Sequence, residues 1–104
     1  MDFNEYQRKT REFAIYTSHL YPCLGLSEET GELLGKIAKA LRDGVTNPEA
    51  HKEAVKKEAG DVLWMLARLL DDMNISLADV AAMNIEKLQD RKQRDVLRGS
   101  GDNR

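Results

Sequence analysis

Between Pro48 and about Met73 the chain carries its longest regular apolar pattern, and that pattern limits the fold more than any other feature. Val55, Ala59, Val62, Leu63, Leu66, Leu69 and Leu70 recur with the 3.6-residue period of an α-helix, and Trp64 and Met65 widen the stripe. Such a girth predicts a central helix covered on two sides. Asn47 and Pro48 suit its N-cap and first position, and Gly44 suits the residue after a preceding helix. Two long helices joined by so short a turn form an antiparallel hairpin. Glu58 and Asp61 break the apolar stripe near its middle.

The remaining punctuation is helical as well. Asn4 can cap a first helix reaching about Leu20, with Tyr6, Phe13, Ile15, Tyr16 and Leu20 as an imperfect stripe. Tyr21-Pro22-Cys23 is expected to break it, because the residue before a proline is pushed out of the α region. Ser27 is a good N-cap for a second helix to about Asp43, with Leu26, Leu33, Ile37, Ala40 and Leu41 as its apolar side. Gly31 and Gly35 each cost that helix up to ~1 kcal/mol relative to Ala, which suggests close approach by a neighbouring helix or a ligand. Asn74 and Ser76 mark the next turn, and Ser76 with Asp79 resembles a capping box. A fourth helix follows to about Val96, carrying Leu77, Val80, Ala81, Ile85 and Leu88. There are no strand signals or repeats. The expectation is one all-α, four-helix bundle-like domain over residues 1–98, with 99–104 a flexible polar tail.

Bulk properties narrow the function classes. At 104 residues with 41% apolar and 33% charged residues, the core is thin and an oligomer has room to complete it. A net charge of −2 gives no reason to expect a nucleic-acid partner. No apolar run approaches the ~20 residues of a membrane span, and residues 1–12 are too polar for a signal peptide, so a cytoplasmic protein is expected. A single cysteine, Cys23, excludes an internal disulfide and a cysteine-built zinc site; it reads as a semi-buried residue beside a turn. His19 and His51 lack ligand partners at helical spacing and read as ordinary polar positions.

The acids of the hairpin remain to be explained. With Glu29 at 0°, Leu33 falls at about 40°, Ala40 at about 20°, Lys36 at about 340° and Glu32 at about 300°. With Glu58 at 0°, Val62 falls at about 40°, Leu69 at about 20°, Met65 at about 340° and Asp61 at about 300°. Each helix thus places an i, i+3 pair of carboxylates where a core should be. An antiparallel hairpin brings the two pairs face to face. Glu28 points roughly 100° away and is equally well read as a solvated acid. Asp61 is open to a salt bridge with Lys57 or Arg68. Unpartnered carboxylates beside a core neutralise or destabilise it, and a divalent cation resolves the conflict. An all-oxygen set suits Mg²⁺ or Mn²⁺, and the absence of Glu-x-x-His argues against a di-iron bundle.

The runs Glu28-Glu29-Thr30-Gly31-Glu32-Leu33 and Glu58-Ala59-Gly60-Asp61-Val62-Leu63-Trp64 resemble the MazG-like branch of the all-α nucleoside triphosphate pyrophosphohydrolases. That family's signature is Glu-Glu-x-x-Glu on one helix and Glu-x-x-Asp on the next. Asn84-Ile85-Glu86-Lys87-Leu88-Gln89-Asp90-Arg91 resembles its Asn-x-x-Lys-x-x-x-Arg element, so the likeness covers about Leu20 to Arg94. It implies cleavage of a nucleoside triphosphate between the α and β phosphates, in nucleotide-pool cleansing or balance. It also implies Mg²⁺ (Mn²⁺ as a substitute) held by Glu29, Glu32, Glu58 and Asp61. Glu28 would sit at the edge of the catalytic set, assisting a second metal or the attacking water. A homodimer or homotetramer is implied too, with neighbouring helices completing the pocket. Lys36, Lys39, Lys87 and Arg91 are the candidate phosphate partners, Asn84 a hydrogen-bonding one, and Trp64 either a base-stacking platform or core. The alternative from another class is a non-catalytic nucleotide-sensing or protein-interaction module that retains the acids.

Overall fold

Local caps set the architecture. In the computed structural model, which describes all 104 residues, Asn47 is extended and its side-chain oxygen accepts the Ala50 N–H at 3.1 Å, with Pro48 in the first turn. Gly44 takes φ 82°, a conformation that suits glycine, and its N–H closes the preceding helix on the Ala40 carbonyl. The result is a long hairpin of α2 (Leu20–Asp43) and α3 (Pro48–Asp72). Asn74 (φ 59°) ends α3: its own N–H bonds the Asp71 carbonyl and the Ile75 N–H bonds that of Leu70, a Schellman arrangement. Ser76 then caps α4 (Leu77–Gln93) by accepting the Asp79 N–H. α1 (Phe3–Thr10) and a 3-10 turn at Arg11–Phe13 complete an all-α fold. No helix is long and apolar enough to cross a membrane.

α3 is central, touching α1, α2 and α4, whereas α2 packs against α3. The core lies at one end, where Ala67 and Leu70 of α3 meet Leu77, flanked by Tyr6, Leu63, Leu66 and Leu69. Gln7 ties α1 to this hub, donating to the Ile75 carbonyl and accepting the Leu77 N–H, both at 2.9 Å. Beside it the buried Arg68 donates to Asp71 (2.9 Å), Asp72 (3.0 Å), the Tyr16 hydroxyl (3.1 Å) and the Thr10 hydroxyl (3.3 Å). Arg11 grips Asp71 through two bonds of 2.9 and 2.8 Å. Two cations and two carboxylates thus balance.

The first forty residues depart from expectation in several ways. The first helix starts from an Asp2 cap and stops at Thr10, not near Leu20. Residues 14–19, with β-branched Ile15 and Thr17, favour a helix weakly, and the Tyr16 hydroxyl instead binds Asp72 at 2.7 Å. Tyr21-Pro22-Cys23 does not break a helix but begins one. Pro22 is the third residue of α2, where the N–H it lacks would have no intrahelical partner, and its ring is fully buried. Ser27 therefore lies inside α2 and caps nothing; Ser18 accepts the Leu20 N–H at the true start. Cys23 is exposed rather than semi-buried.

The glycines of α2 also differ from their reading. A Cβ added at Gly31 or Gly35 would meet nothing within 4 Å, so no helix of this chain approaches them closely. The close approach is at Gly25, where a Cβ would stand 2.5 Å from the Met65 sulfur.

The chain is elongated. Its radius of gyration is 16.7 Å, against about 13 Å for a compact domain of this length. The accessible surface of 7914 Å² exceeds the roughly 5,900 Å² expected for a monomer of this mass. Much of the excess is apolar: Leu24, Leu34 and Leu41 on α2, and Met83, Ile85 and Leu88 on α4, are exposed.

Candidate metal centre

The two i, i+3 acid pairs occupy the facing sides of α2 and α3. One carboxylate oxygen from each of Glu29, Glu32 and Glu58 lies within 4.8 Å of the other two. Glu32 is exposed, while Glu29 and Glu58 are half-buried. One oxygen of Glu29, Oε2, is buried and has no hydrogen-bond partner. Burial first, then the charges of Glu32, Asp61 and Glu28, push the Glu29 carboxyl above its ordinary value. An orphaned buried oxygen among like charges is costly unless a cation joins it.

The surrounding cations do not neutralise the cluster. Lys36 reaches Glu58 only at 4.0 Å. Asp61 is exposed and forms no ion pair; Arg68, one of its two candidate partners, is committed to Asp71 and Asp72. Asp61 lies outside the tight group of three, though its charge acts on Glu29 and on Tyr6. Glu28 is exposed beside them.

The donor set fits a hard divalent cation. Only carboxylate oxygens converge, the hard donors that such an ion prefers. Glu29, Glu32 and Glu58 are the residues present to hold it, with Asp61 adjacent.

The other sequence-predicted residues fall into three places. Lys36 and Lys39 line a cleft of about 310 Å³ at the turn of the hairpin, next to the acids. Trp64 lines an aromatic recess of about 560 Å³ with Phe13, Tyr16 and Tyr21. There Tyr16 stacks on Tyr21 at 5.3 Å and meets Trp64 edge-on at 6.4 Å. Asn84, Lys87 and Arg91 stand apart, because α4 packs on α1 and on the far end of α3. Within this one chain Lys87 (3.2 Å) and the buried Arg91 (3.4 Å) meet Asp102, the tail having returned along α4.

Two lining residues are not evident from the sequence. Tyr21 is hidden by the proline that follows it, which suggests a break, and His51, which lines the hairpin cleft, resembles any polar position on a helix. His51 precedes Glu58 by seven residues, two helical turns on the same face, and that spacing is the signal that finds it.

The MazG nucleotide pyrophosphohydrolase domain matches residues 17–95 as a sequence family. The Gene 37 protein of Mycobacterium phage L5 is 43% identical over 86 residues, spanning 81% of this chain and 75% of that protein. No solved structure matches.

Proposed function

This chain belongs to the MazG nucleotide pyrophosphohydrolase family, and from that premise we propose that it is a Mg²⁺-dependent hydrolase of nucleoside triphosphates. Water adds to the α phosphorus, the bond from that phosphorus to the α–β bridging oxygen breaks, and pyrophosphate leaves with the electron pair. The other product is a nucleoside monophosphate, in either the ribo or the deoxy series. The observation that carries the reading is the three-carboxylate group with its orphaned Glu29 oxygen.

Glu29, Glu32 and Glu58 would hold the cation, with Asp61 joining them, and Mn²⁺ would serve in place of Mg²⁺. When bound, the cation supplies charge neutralisation at the phosphate oxygens and acidifies water. Glu28, exposed at the edge, would assist a second cation or the attacking water. Lys36 and Lys39 add positive charge on one flank, and Trp64 offers a stacking surface on the other. Asn84, Lys87 and Arg91 meet the substrate only across an assembly. The excess apolar surface of α2 and α4 supports a homodimer or homotetramer in which they do so. No nucleic acid or membrane partner is needed, and a cytoplasmic role in nucleotide-pool cleansing suits the reaction.

Incubation with Mg²⁺ and a panel of NTPs and dNTPs tests the proposal. Equimolar monophosphate and pyrophosphate are expected. Orthophosphate in place of pyrophosphate refutes the bond assignment, and binding without product favours the nucleotide-sensing module instead.

A further inference from the structure

Beyond Gln93 the chain turns back along α4 and lays a hook on two of its cations. Asp95 takes φ 58°, and the Val96 N–H bonds the Arg91 carbonyl at 2.8 Å, which ends the helix and reverses the chain. Gly99 (φ 123°) and Gly101 (φ 87°) make the second bend, in conformations that favour glycine. Arg104 closes the hook by donating to the carbonyls of Gly101 (2.6 Å), Val96 (3.1 Å) and Leu97 (3.2 Å). The Asp102 carboxylate thereby meets Lys87 at 3.2 Å and Arg91 at 3.4 Å, and its carbonyl accepts from Arg91 at 2.8 Å.

Seat and occupant are unequal. The Arg91 side chain is only 6% exposed, whereas that of Asp102 is 83% exposed. Every bond from the Arg91 guanidinium runs through Nη2, shared among the Asp102 carboxylate and the carbonyls of Asp102 and Gly101; Nε and Nη1 donate to nothing in this chain. No carboxylate of α4 pairs with either cation, and Asp90 is taken by Arg94. Residues 97–103 are all exposed, so polar contacts hold the hook rather than buried apolar surface. A clasp built for stability would bury its carboxylate and use both arms of the guanidinium fork. A lone exposed carboxylate is worth little there. A polyphosphate brings more charge, and the donors that Asp102 leaves idle suit its oxygens.

We propose that residues 99–104 are an autoinhibitory hook: Asp102 occupies a polyphosphate seat at Lys87 and Arg91 in the free protein and yields it when a polyphosphate binds. The hook rests on the phosphate role proposed for Lys87 and Arg91 but not on hydrolysis. It turns binding into an exchange, in which each ligand loses the affinity needed to open the hook.

Calorimetry with inorganic tripolyphosphate, on the full chain at low salt and without Mg²⁺, tests the exchange. Asp102→Asn is expected to tighten binding about threefold, the scale of an exposed ion pair. Asp95→Asn removes the same charge from the same segment without touching the seat, and Asn tolerates the positive φ there, so affinity should not change. Arg104→Ala is the sharper arm. It removes a cation, which by net charge alone weakens a polyanion, yet it opens the hook and is expected to tighten binding about twofold. Saturating tripolyphosphate should also release the backbone amides of residues 99–104 to the fast motion of a free chain in NMR relaxation. The proposal fails if Asp102→Asn changes nothing, if Asp95→Asn matches it, if Arg104→Ala weakens binding, or if the hook stays ordered at saturation. If Lys87→Ala leaves tripolyphosphate affinity intact, the seat is not at Lys87, and the proposal falls with that part of the functional reading. A hook that opens as expected in a protein releasing no pyrophosphate from any triphosphate sinks the catalytic reading alone.

Discussion

Two charged clusters sit about 15 Å apart along α3, and they are built on opposite terms. Around Arg68, two cations meet two carboxylates and two hydroxyls, and the Asp71 carboxyl is held below its ordinary value by the Arg11 hydrogen bonds and then by Arg68. Around Glu29, acids face acids, one buried oxygen has no partner, and the carboxyl is pushed up. The first cluster lowers the energy of the fold and fastens the Tyr16 segment to the hub. The second raises that energy, and a chain that keeps such a cluster needs something outside itself to satisfy it.

Removing one acid should have the largest effect and should be felt in catalysis. Glu58→Gln keeps the side-chain shape but withdraws a charge from the group of three. Pyrophosphate release is expected to fall roughly 10²–10³-fold while the helical circular dichroism is unchanged. A rate within fivefold of the unaltered protein would erase the functional half of the contrast.

The Arg68 cluster should answer in stability. Arg68→Met leaves Asp72 without its cation and strips Tyr16 and Thr10 of a donor. A loss of about 3–5 kcal/mol in urea unfolding is expected, because the surviving carboxylate stays partly buried. A loss below about 1 kcal/mol, the range of exposed pairs, would make this network ordinary surface charge.

One cluster is legible in the sequence and the other is concealed, for a physical reason. Glu29 with Glu32, and Glu58 with Asp61, are fixed by helical periodicity, and the hairpin that joins them is fixed by Gly44, Asn47 and Pro48. All of these are local signals. The all-α class is legible for the same reason. Arg68, however, bonds to groups 52 and 58 residues away, and no periodicity announces them. Helical angle offers it Asp61 instead, a neighbour it does not bind. The start of α2 is obscured because a proline marks the first turn of a helix as readily as it marks a break. The positions of Lys87 and Arg91 depend on how α4 leaves the hub, which also cannot be read along the chain.

A smaller effect of opposite sign sharpens the contrast. Glu29→Gln removes the orphaned charge, so the metal-free protein is expected to gain stability on the order of 1 kcal/mol at neutral pH. Excess Mg²⁺ should then raise the melting temperature of the unaltered protein but hardly that of the variant. A metal-free variant less stable than its parent would mean that Glu29 makes a favourable contact of its own.

The smallest effect is a pair of pH slopes, and it separates the clusters without reference to activity. For Glu29 the folded value is raised, so between its ordinary 4.5 and that higher value the folded state binds more protons than the unfolded one. Its contribution is therefore present in acid and is lost as pH rises through that interval. For Asp71 the folded value is lowered, so its contribution is present above the ordinary 3.8 and is lost as pH falls below it. Metal-free unfolding free energies across this range, for the parent, Glu29→Gln and Asp71→Asn, should show this directly. The gain in the Glu29 variant should appear on going from acid to neutral pH, and the deficit in the Asp71 variant should shrink below pH 3.8. Adding Mg²⁺ at neutral pH should cancel the first difference and leave the second untouched, because the Asp71 carboxylate already has its cations in Arg11 and Arg68. If Mg²⁺ moves both differences alike, the two clusters are not the independent devices that their partners indicate.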